Sequence, residues 1–195
     1  MMTSEPTRRI LAALLFALGA CGGAPVHLHG VEFSPAEPAP ALRLADANGG
    51  TFDLAAERGH VVFIYFGYTH CPDICPLTLS DWAKARAALG TKGEKARYVF
   101  VSVDPERDTP AISAAYAKQF DAAFVGLTAA GADLDAIKQA WGFAVMKEET
   151  GSKNGYGVAH PGQTFVVDAD GRGREILPPN TRPADIAADL KALLP

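Results

Sequence analysis

The sequence has few cysteines, no excess of positive charge and no apolar run long enough to cross a bilayer as a helix. Only 3 of its 195 residues are cysteine, and 18 Lys and Arg against 22 Asp and Glu give a formal charge of −4. This charge argues against nucleic acid as a partner, because such binding requires a basic surface. With 48% hydrophobic and 21% charged residues, the chain has the composition of one soluble α/β domain.

The longest apolar run, at residues 10–18, is about half the length of a membrane span. It follows Arg8 and Arg9, and this order indicates an export signal over residues 1–20. The signal ends in a Leu-Gly-Ala-Cys sequence that resembles a bacterial lipobox. We therefore expect Cys21 to carry a lipid anchor and to hold the chain on a membrane that faces the periplasm or the cell exterior. An incidental cysteine after an ordinary cleaved signal is the alternative.

After the signal, the sequence predicts a flexible tether at residues 21–40, rich in Gly, Pro and Ala, and one domain at residues 41–195. In chain order we expect a hairpin at 42–54, strand 61–66, helix 76–89, strand 98–103, helix 110–120, strand 124–127, helix 132–141, an exposed excursion at 142–160, a hairpin at 164–177 and helix 183–194. This order indicates a three-layer α/β fold with a central mixed sheet, an N-terminal β-hairpin and a C-terminal hairpin plus helix. Cysteines between a strand and a helix are typical of a thioredoxin-like domain.

The two cysteines of this domain, Cys71 and Cys75, are four residues apart in the loop after the first buried strand. In an exported protein they can oxidise to a disulfide unless something reduces them. They can equally bind a soft metal such as Cu(I) while a third ligand arrives from elsewhere. The start of the following helix favours thiolates, and Pro72 and Pro76 stiffen the loop. These features favour a reactive or metal-binding pair over a structural disulfide, without choosing between the two.

Four ordered motifs, at residues 67–76, 103–110 and 126–128 and at His160, resemble the Sco/SenC family over about residues 40–195. The resemblance implies a thioredoxin-like, membrane-tethered copper-binding protein that helps to assemble the binuclear copper centre of cytochrome c oxidase. It also implies that Cys71, Cys75 and His160 bind the copper ion, as Cu(I), Cu(II) or both.

Several other residues belong near this predicted site. By the resemblance, Asp104 supports the metal ligands, and we expect His70 to support them rather than to bind metal itself. Arg107 and Asp108 are expected to shape their turn by capping and ion pairing. The chain departs from the family pattern beside His160, where Ala159 and Pro161 replace an acidic residue and a Ser or Thr that members often have.

The tether contains a His-x-His sequence, His27 and His29, which either holds Cu(II) loosely or is simply solvated.

The main hypothesis from the sequence is a lipid-anchored copper chaperone. Its expected partners are a copper-accepting oxidase subunit, a thioredoxin-like reductant that keeps the cysteines reduced, and other copper chaperones. The leading alternative is a thiol–disulfide reductase that reduces the cysteines of a copper-accepting partner with the same pair. A peroxiredoxin-like peroxidase and a structural lipoprotein are weaker alternatives.

Overall fold

A computed structural model of the chain describes residues 27–152 and 155–195. Its strands are β1 (Val31–Glu32), β2 (Arg43–Ala45), β3 (Thr51–Asp53), β4 (Val61–Gly67), β5 (Ala96–Ser102), β6 (Val125–Thr128), β7 (Met146–Ser152), β8 (Gly155–Ala159), β9 (Thr164–Val167) and β10 (Gly173–Leu177). Its helices are α1 (Ile74–Leu89), α2 (Pro110–Lys118), α3 (Gly131–Trp141) and α4 (Pro183–Leu193). The predicted α/β fold with a central mixed sheet is confirmed, as are the hairpin β2–β3 and the closing hairpin β9–β10 with its helix.

The central sheet has six strands in the order β1-β10-β9-β4-β5-β6. Strands β4, β5 and β6 run parallel, whereas β9 pairs antiparallel with β4. All seven residues of β4 are buried, as expected for a central strand made of apolar, β-branched and aromatic residues. Helix α2 lies close against β6, because a Cβ at Gly126 would lie 2.0 Å from the carbonyl oxygen of Ser113.

The parallel strands bring the predicted motifs to one edge of the sheet. Strand β4 ends at Gly67, directly before the cysteine loop, and β5 ends at Ser102, directly before the turn at residues 104–108. The backbone N–H of Val103 donates to the carbonyl of Gly67 at 2.8 Å, so the two chain segments stay side by side beyond the strands. Two motifs that are far apart in sequence thereby become neighbours, as is usual at the carboxyl edge of a parallel sheet.

Residues 27–40, the part of the predicted tether that the structure describes, pack on the domain. Strand β1 pairs with β10, and the backbone N–H of Gly30 donates to Glu175 Oε2 at 2.9 Å. The backbone N–H of His29 donates to the carboxylate of Asp189. Burial and the neighbouring Asp189 charge raise the pKa of Glu175 to about 7. Because the partners of this segment lie some 150 residues away, its own Gly, Pro and Ala content gave no local sign of the attachment.

The predicted excursion at 142–160 is wrong over much of its length, because β7 and β8 form a two-stranded antiparallel hairpin. The pairing begins with Met146 opposite Ala159 and reaches Ser152 opposite Gly155. The alternation of apolar and polar residues that marks a half-buried strand is missing from Lys147, Glu148 and Glu149, so the pattern looked like a loop.

The export signal at residues 1–20 and the lipidation site Cys21 lie outside the described residues. Within the part of the chain that is described, no helix has the length and apolar character needed to cross a membrane.

Candidate metal centre

Three predicted ligands meet at the carboxyl edge of the sheet. The ligand atoms of Cys71, Cys75 and His160 all lie within 4.8 Å of one another, and this is the one such group of three or more His, Cys, Asp or Glu residues among the described residues. The distance from Cys75 Sγ to His160 Nε2 is 3.5 Å. Both cysteines are free thiols. The fold therefore joins residues 85 positions apart into one cluster.

The two cysteines occupy different environments. Cys71 lies in the loop between β4 and α1 and is partly exposed, whereas Cys75 lies in the first turn of α1 and is fully buried. Gly67 makes room for the buried sulfur, because a Cβ at that position would lie 2.8 Å from Cys75 Sγ. Cys71 is therefore the more exposed of the two cysteines, while Cys75 is embedded in the core.

This difference in environment divides the protons of the pair unequally. A hydrogen bond from the Cys75 side chain, together with His160 and the backbone N–H groups of Asp73 and Cys75, lowers the pKa of the Cys71 thiol. Burial and the nearby Cys71 sulfur raise the pKa of the Cys75 thiol. Since the two groups titrate as a coupled pair, the structure favours one thiolate, on Cys71, and one proton, on Cys75, at neutral pH.

His160 follows strand β8 and is held in one orientation by its own backbone. Its Nδ1 lies 3.0 Å from the carbonyl oxygen of Pro161, an arrangement in which Nδ1–H donates and Nε2 keeps its lone pair for a metal. The rings of Tyr65 and Tyr68 contact the imidazole edge-on, with centroids at 5.8 and 5.5 Å. The carbonyl of Pro161 therefore accepts the hydrogen bond that orients the His160 ring. The side chains of Ala159 and Pro161 have no polar atom that could accept it.

The two residues predicted to support the ligands lie in different places. Asp104 is buried and binds Arg107 and Tyr156, with Tyr156 OH donating to its Oδ1 at 2.8 Å. His70 is half exposed, and its Nδ1 lies 3.1 Å from Thr69 Oγ1 and 3.7 Å from Asp108 Oδ1. Asp104 therefore contacts the hairpin that leads to His160, through Tyr156. His70 lies within the cysteine loop.

Sequence reasoning missed the role of Asp108. This fully buried carboxylate accepts hydrogen bonds from Thr69 N at 2.8 Å, Thr69 Oγ1 at 2.6 Å and Ser102 Oγ at 2.6 Å. The sequence predicts Asp108 or Thr109 as the cap of α2, and the cap is Thr109, whose Oγ1 accepts from Ile112 N. Asp108 thus fixes the start of the cysteine loop. The position of this acidic residue, just beyond the strand next to the cysteine strand, was the available signal.

His27 and His29 do not form a second metal cluster. The Nδ1 of His29 lies 2.7 Å from Asp189 Oδ1, and this hydrogen bond raises the pKa of His29. The side chain of His27 is 88% exposed, with Nδ1 at 4.0 Å from Glu32. The two imidazoles have separate acidic partners rather than a shared ligand position.

The donor set fits copper. Two sulfurs and one imidazole nitrogen are soft to intermediate donors that suit Cu(I), and the imidazole also accommodates Cu(II). Structural zinc sites in proteins normally have four ligands, one more than this cluster supplies. A three-ligand cluster with one sulfur near the surface leaves room for ligand exchange.

Comparison with known proteins places the chain in a family. The SCO1/SenC family model matches residues 34–195. The SCO2-like protein of Rickettsia prowazekii is 35% identical over 134 residues, which cover 67% of this chain and 64% of that protein. The chain thus spans slightly less than two thirds of this relative.

Two solved structures share the fold over most of their length. The copper-bound ScoI of Bradyrhizobium japonicum has 33% identity and a TM-score of 0.72, and the match covers 81% of this chain and 100% of that one. The apo Sco1 of Thermus thermophilus has 34% identity and a TM-score of 0.77, and the match covers 88% of this chain and 100% of the Thermus chain. These matches confirm the predicted thioredoxin-like fold. The chain belongs to the SCO1/SenC family.

Proposed function

We propose that this protein is a copper chaperone that binds one copper ion through Cys71, Cys75 and His160. The observation that carries the proposal is the convergence of two sulfurs and one imidazole nitrogen within 4.8 Å. The copper bound to the related ScoI supports the choice of metal. Copper delivery to an oxidase subunit follows from the family resemblance and from the open, three-ligand character of the cluster.

The chaperone acts outside the cytoplasm and is held on a membrane by lipid at Cys21. The lipobox-like sequence before Cys21 and the basic and apolar segments of residues 1–20 support this localisation. Labelling cells with an alkyne fatty acid is expected to mark the wild-type protein and not the Cys21→Ser variant. Equal labelling of the two proteins would rule out this anchor.

The test of the copper site is anaerobic Cu(I) titration of the reduced protein against a competing chelator, with X-ray absorption of the bound metal. We expect one copper with two sulfur ligands and one nitrogen ligand. His160→Ala is expected to remove the nitrogen ligand, and Cys71→Ser to remove one sulfur ligand. His70→Ala is the matched control, because it removes a nearby imidazole whose partners are Thr69 and Asp108 and which is not part of the ligand group. Unchanged affinity and coordination in either ligand variant would refute this ligand set.

A thiol–disulfide reductase is the second candidate, and the asymmetry of the two thiols favours it. The Cys71 thiolate would attack a partner disulfide and release one partner thiolate. Cys75, after losing its proton, would then attack the Cys71 sulfur and release the second partner thiol. The partner gains two electrons, and the Cys71–Cys75 disulfide that results must be reduced by a thioredoxin-like protein before the next cycle.

His160 separates the two candidates. Disulfide exchange uses an attacking and a resolving thiol, so His160→Ala is expected to spare reductase turnover. Copper binding uses the imidazole, so the same variant is expected to lose copper transfer to an acceptor. Reductase turnover and copper transfer that are both unchanged in His160→Ala would favour the reductase over the chaperone.

A further inference from the structure

The metal centre is built from two structural units that share no backbone pairing. The hairpin β7–β8, which leads into His160, forms its own two-stranded sheet, whereas the cysteine loop follows a strand of the central sheet. Within the described residues, the strands of the hairpin pair only with each other. After His160 the chain enters β9, which pairs with β4 and places Thr164 opposite Tyr65, so the backbone holds the imidazole from its C-terminal side. On its N-terminal side, the position of the imidazole depends on side-chain contacts between the hairpin and the cysteine segment.

One turn, at residues 104–108, contacts both units. On the cysteine side, Asp108 accepts the hydrogen bonds from Thr69 that fix the start of the loop. On the hairpin side, Arg107 Nη1 donates to the backbone carbonyl of Tyr156 at 2.9 Å, and Tyr156 OH donates to Asp104. Lys147 on β7 adds an exposed ion pair with Glu106. The turn thus connects the two halves of the cluster.

Arg107 lies at the centre of these contacts. Its guanidinium carbon is 3.8 Å from the ring centroid of Tyr156 on β8 and 5.5 Å from that of Tyr68 beside the cysteine loop. Its Nε donates to the buried Asp104 at 2.5 Å, which fixes the direction of the guanidinium plane. The Tyr68 ring in turn contacts His160. A planar cation with several donors is able to stack on rings and bind a carbonyl at the same time, which an ammonium is not.

We propose that Arg107 is a positioning residue for the metal centre: by holding Tyr156, it sets the distance from His160 to the two cysteine sulfurs. The role acts through strand β8, since Tyr156 precedes His160 by only four residues. This inference rests on the proposed function, because the position of His160 matters only if the imidazole binds the metal. Loss of Arg107 would leave both cysteines in place and free the hairpin to move.

The test is a double-mutant cycle on Cu(I) affinity between Arg107→Gln and His160→Ala. Alone, Arg107→Gln is expected to weaken copper binding about tenfold, as is typical when a residue that orients a metal ligand is removed. In the His160→Ala background the same change is expected to have no further effect, because the imidazole it positions is gone. Equal losses in both backgrounds, or unchanged affinity in a folded Arg107→Gln protein, would overturn the inference.

Arg86→Gln is the matched control. Arg86 pairs with Asp121, and the side-chain exposure of Arg86, 22%, is close to the 18% of Arg107. It lies eleven residues beyond Cys75 on α1, about 16 Å along the helix, so it is remote from the cluster. Copper affinity is expected to stay unchanged in Arg86→Gln, whatever its effect on stability.

Two further readouts separate positioning from general stability. In the copper-free protein, amide hydrogen exchange at residues 155–160 is expected to accelerate in Arg107→Gln and not in Arg86→Gln. Arg107→Lys keeps the positive charge but loses the planar fork, and is expected to weaken copper binding as Gln does. Wild-type copper affinity in Arg107→Lys would show that Arg107 contributes through its positive charge and not by positioning Tyr156, and would overturn the inference.

Tyr156→Phe provides a milder change in case Arg107→Gln does not fold. It removes only the hydroxyl group, with its hydrogen bonds to Asp104 at 2.8 Å and Glu106 at 3.4 Å. It is expected to weaken copper binding less than Arg107→Gln, again only when His160 is present. An unchanged affinity in Tyr156→Phe, with Arg107→Gln unfolded, would count against the inference.

Failure of this inference can be told apart from failure of the proposed function. If His160→Ala leaves copper binding unchanged, the proposed function fails. If only the Arg107 variants leave copper binding unchanged, this inference alone fails.

Discussion

The cysteine side and the histidine side of the metal centre are held in opposite ways. Strand β4, which delivers the cysteines, is paired on both edges and buried along its whole length. Strand β7 of the histidine hairpin exposes residues such as Met146, which is 62% exposed, and pairs only with β8 among the described strands. The sulfurs are therefore positioned by the core of the protein. The imidazole is held on its C-terminal side by β9, which pairs with β4, and on its N-terminal side by side-chain contacts of the hairpin.

For the proposed copper chaperone, which releases its metal to an acceptor, this difference has a functional consequence. Local opening of a weakly attached element costs less free energy than opening of the core. On the proposed function, local opening of the hairpin would weaken the contact of the imidazole with the metal while the two sulfurs keep their geometry, and a ligand from the acceptor would then take the place of His160. Changes on the cysteine side are expected to damage folding, and changes on the histidine side to alter binding without unfolding the protein.

The largest effect is expected on the cysteine side, from Gly67→Ala. The added Cβ would lie 2.8 Å from Cys75 Sγ, 2.9 Å from Tyr65 Cε1 and 3.0 Å from Phe100 Cε2. All three neighbours are almost completely buried and have little room to move. We expect the free energy of unfolding to fall by about 2 kcal/mol, as is typical of overpacked cores, and Cu(I) affinity to fall with it. Urea denaturation and chelator competition measure the two effects.

Gly173→Ala is the control for this substitution. Gly173 also lies in a strand of the central sheet, but the nearest atom to an added Cβ is 3.5 Å away. Both stability and copper affinity are expected to remain close to wild type. If Gly67→Ala were as stable as Gly173→Ala, the core would not be what fixes the buried sulfur, and the contrast between the two sides would be lost.

The sequence predicted the cysteine side better than the histidine side, for a physical reason. Strand β4 and helix α1 carry strong local patterns, a continuous apolar run and an amphipathic segment, and both were found within one or two residues of their true bounds. The hairpin β7–β8 is stabilised by pairing within itself and by contacts to a distant turn. Its exposed, charged strand has no pattern that local reasoning would recognise.

The ligand set was likewise easier to predict than its support. Cys71, Cys75 and His160 stand in motifs that the family resemblance marks directly. Asp108 and Arg107 were expected only to shape their turn, because their partners, Thr69 and Tyr156, lie 39 and 49 residues away. Contacts over such distances depend on the three-dimensional fold, and a single sequence does not reveal them.

The second prediction concerns protons and tests the two sulfurs against each other. Because the pKa of Cys71 is lowered and that of Cys75 is raised, the reduced pair carries about one proton near pH 7. Copper requires both thiolates, so binding is expected to release about one proton, from Cys75. Affinity should then rise about tenfold per pH unit over the range in which Cys75 stays protonated. Calorimetry in buffers of different ionisation enthalpy counts the protons.

The number of protons released discriminates between two states of the pair. Release of about two protons would mean that Cys71 is also protonated, so that its environment does not favour the thiolate. In Cys71→Ser, the sulfur that raises the pKa of Cys75 is gone. The pKa of Cys75 should then move down towards its usual range while remaining raised by burial. A proton count that stays at one in both proteins would be consistent with Cys75 as the source.

The smallest effect is expected from Lys147→Gln, on the histidine side. Lys147 pairs with Glu106, but the two side chains are 50% and 62% exposed, and such pairs add little to stability because water and salt screen them. Copper affinity and the denaturation midpoint are expected to match wild type. Arg107→Gln, which changes the residue next to Glu106 in the turn, is expected to lose copper affinity. Two outcomes are possible. If Lys147→Gln weakened copper binding as much as Arg107→Gln, and if added salt weakened copper binding of the wild type, general charge attraction would hold the hairpin.

If Lys147→Gln and wild type had equal copper affinities at low and high salt, the Lys147–Glu106 pair would not position the imidazole. That result would support the contacts of Arg107 with Tyr156 as the ones that do.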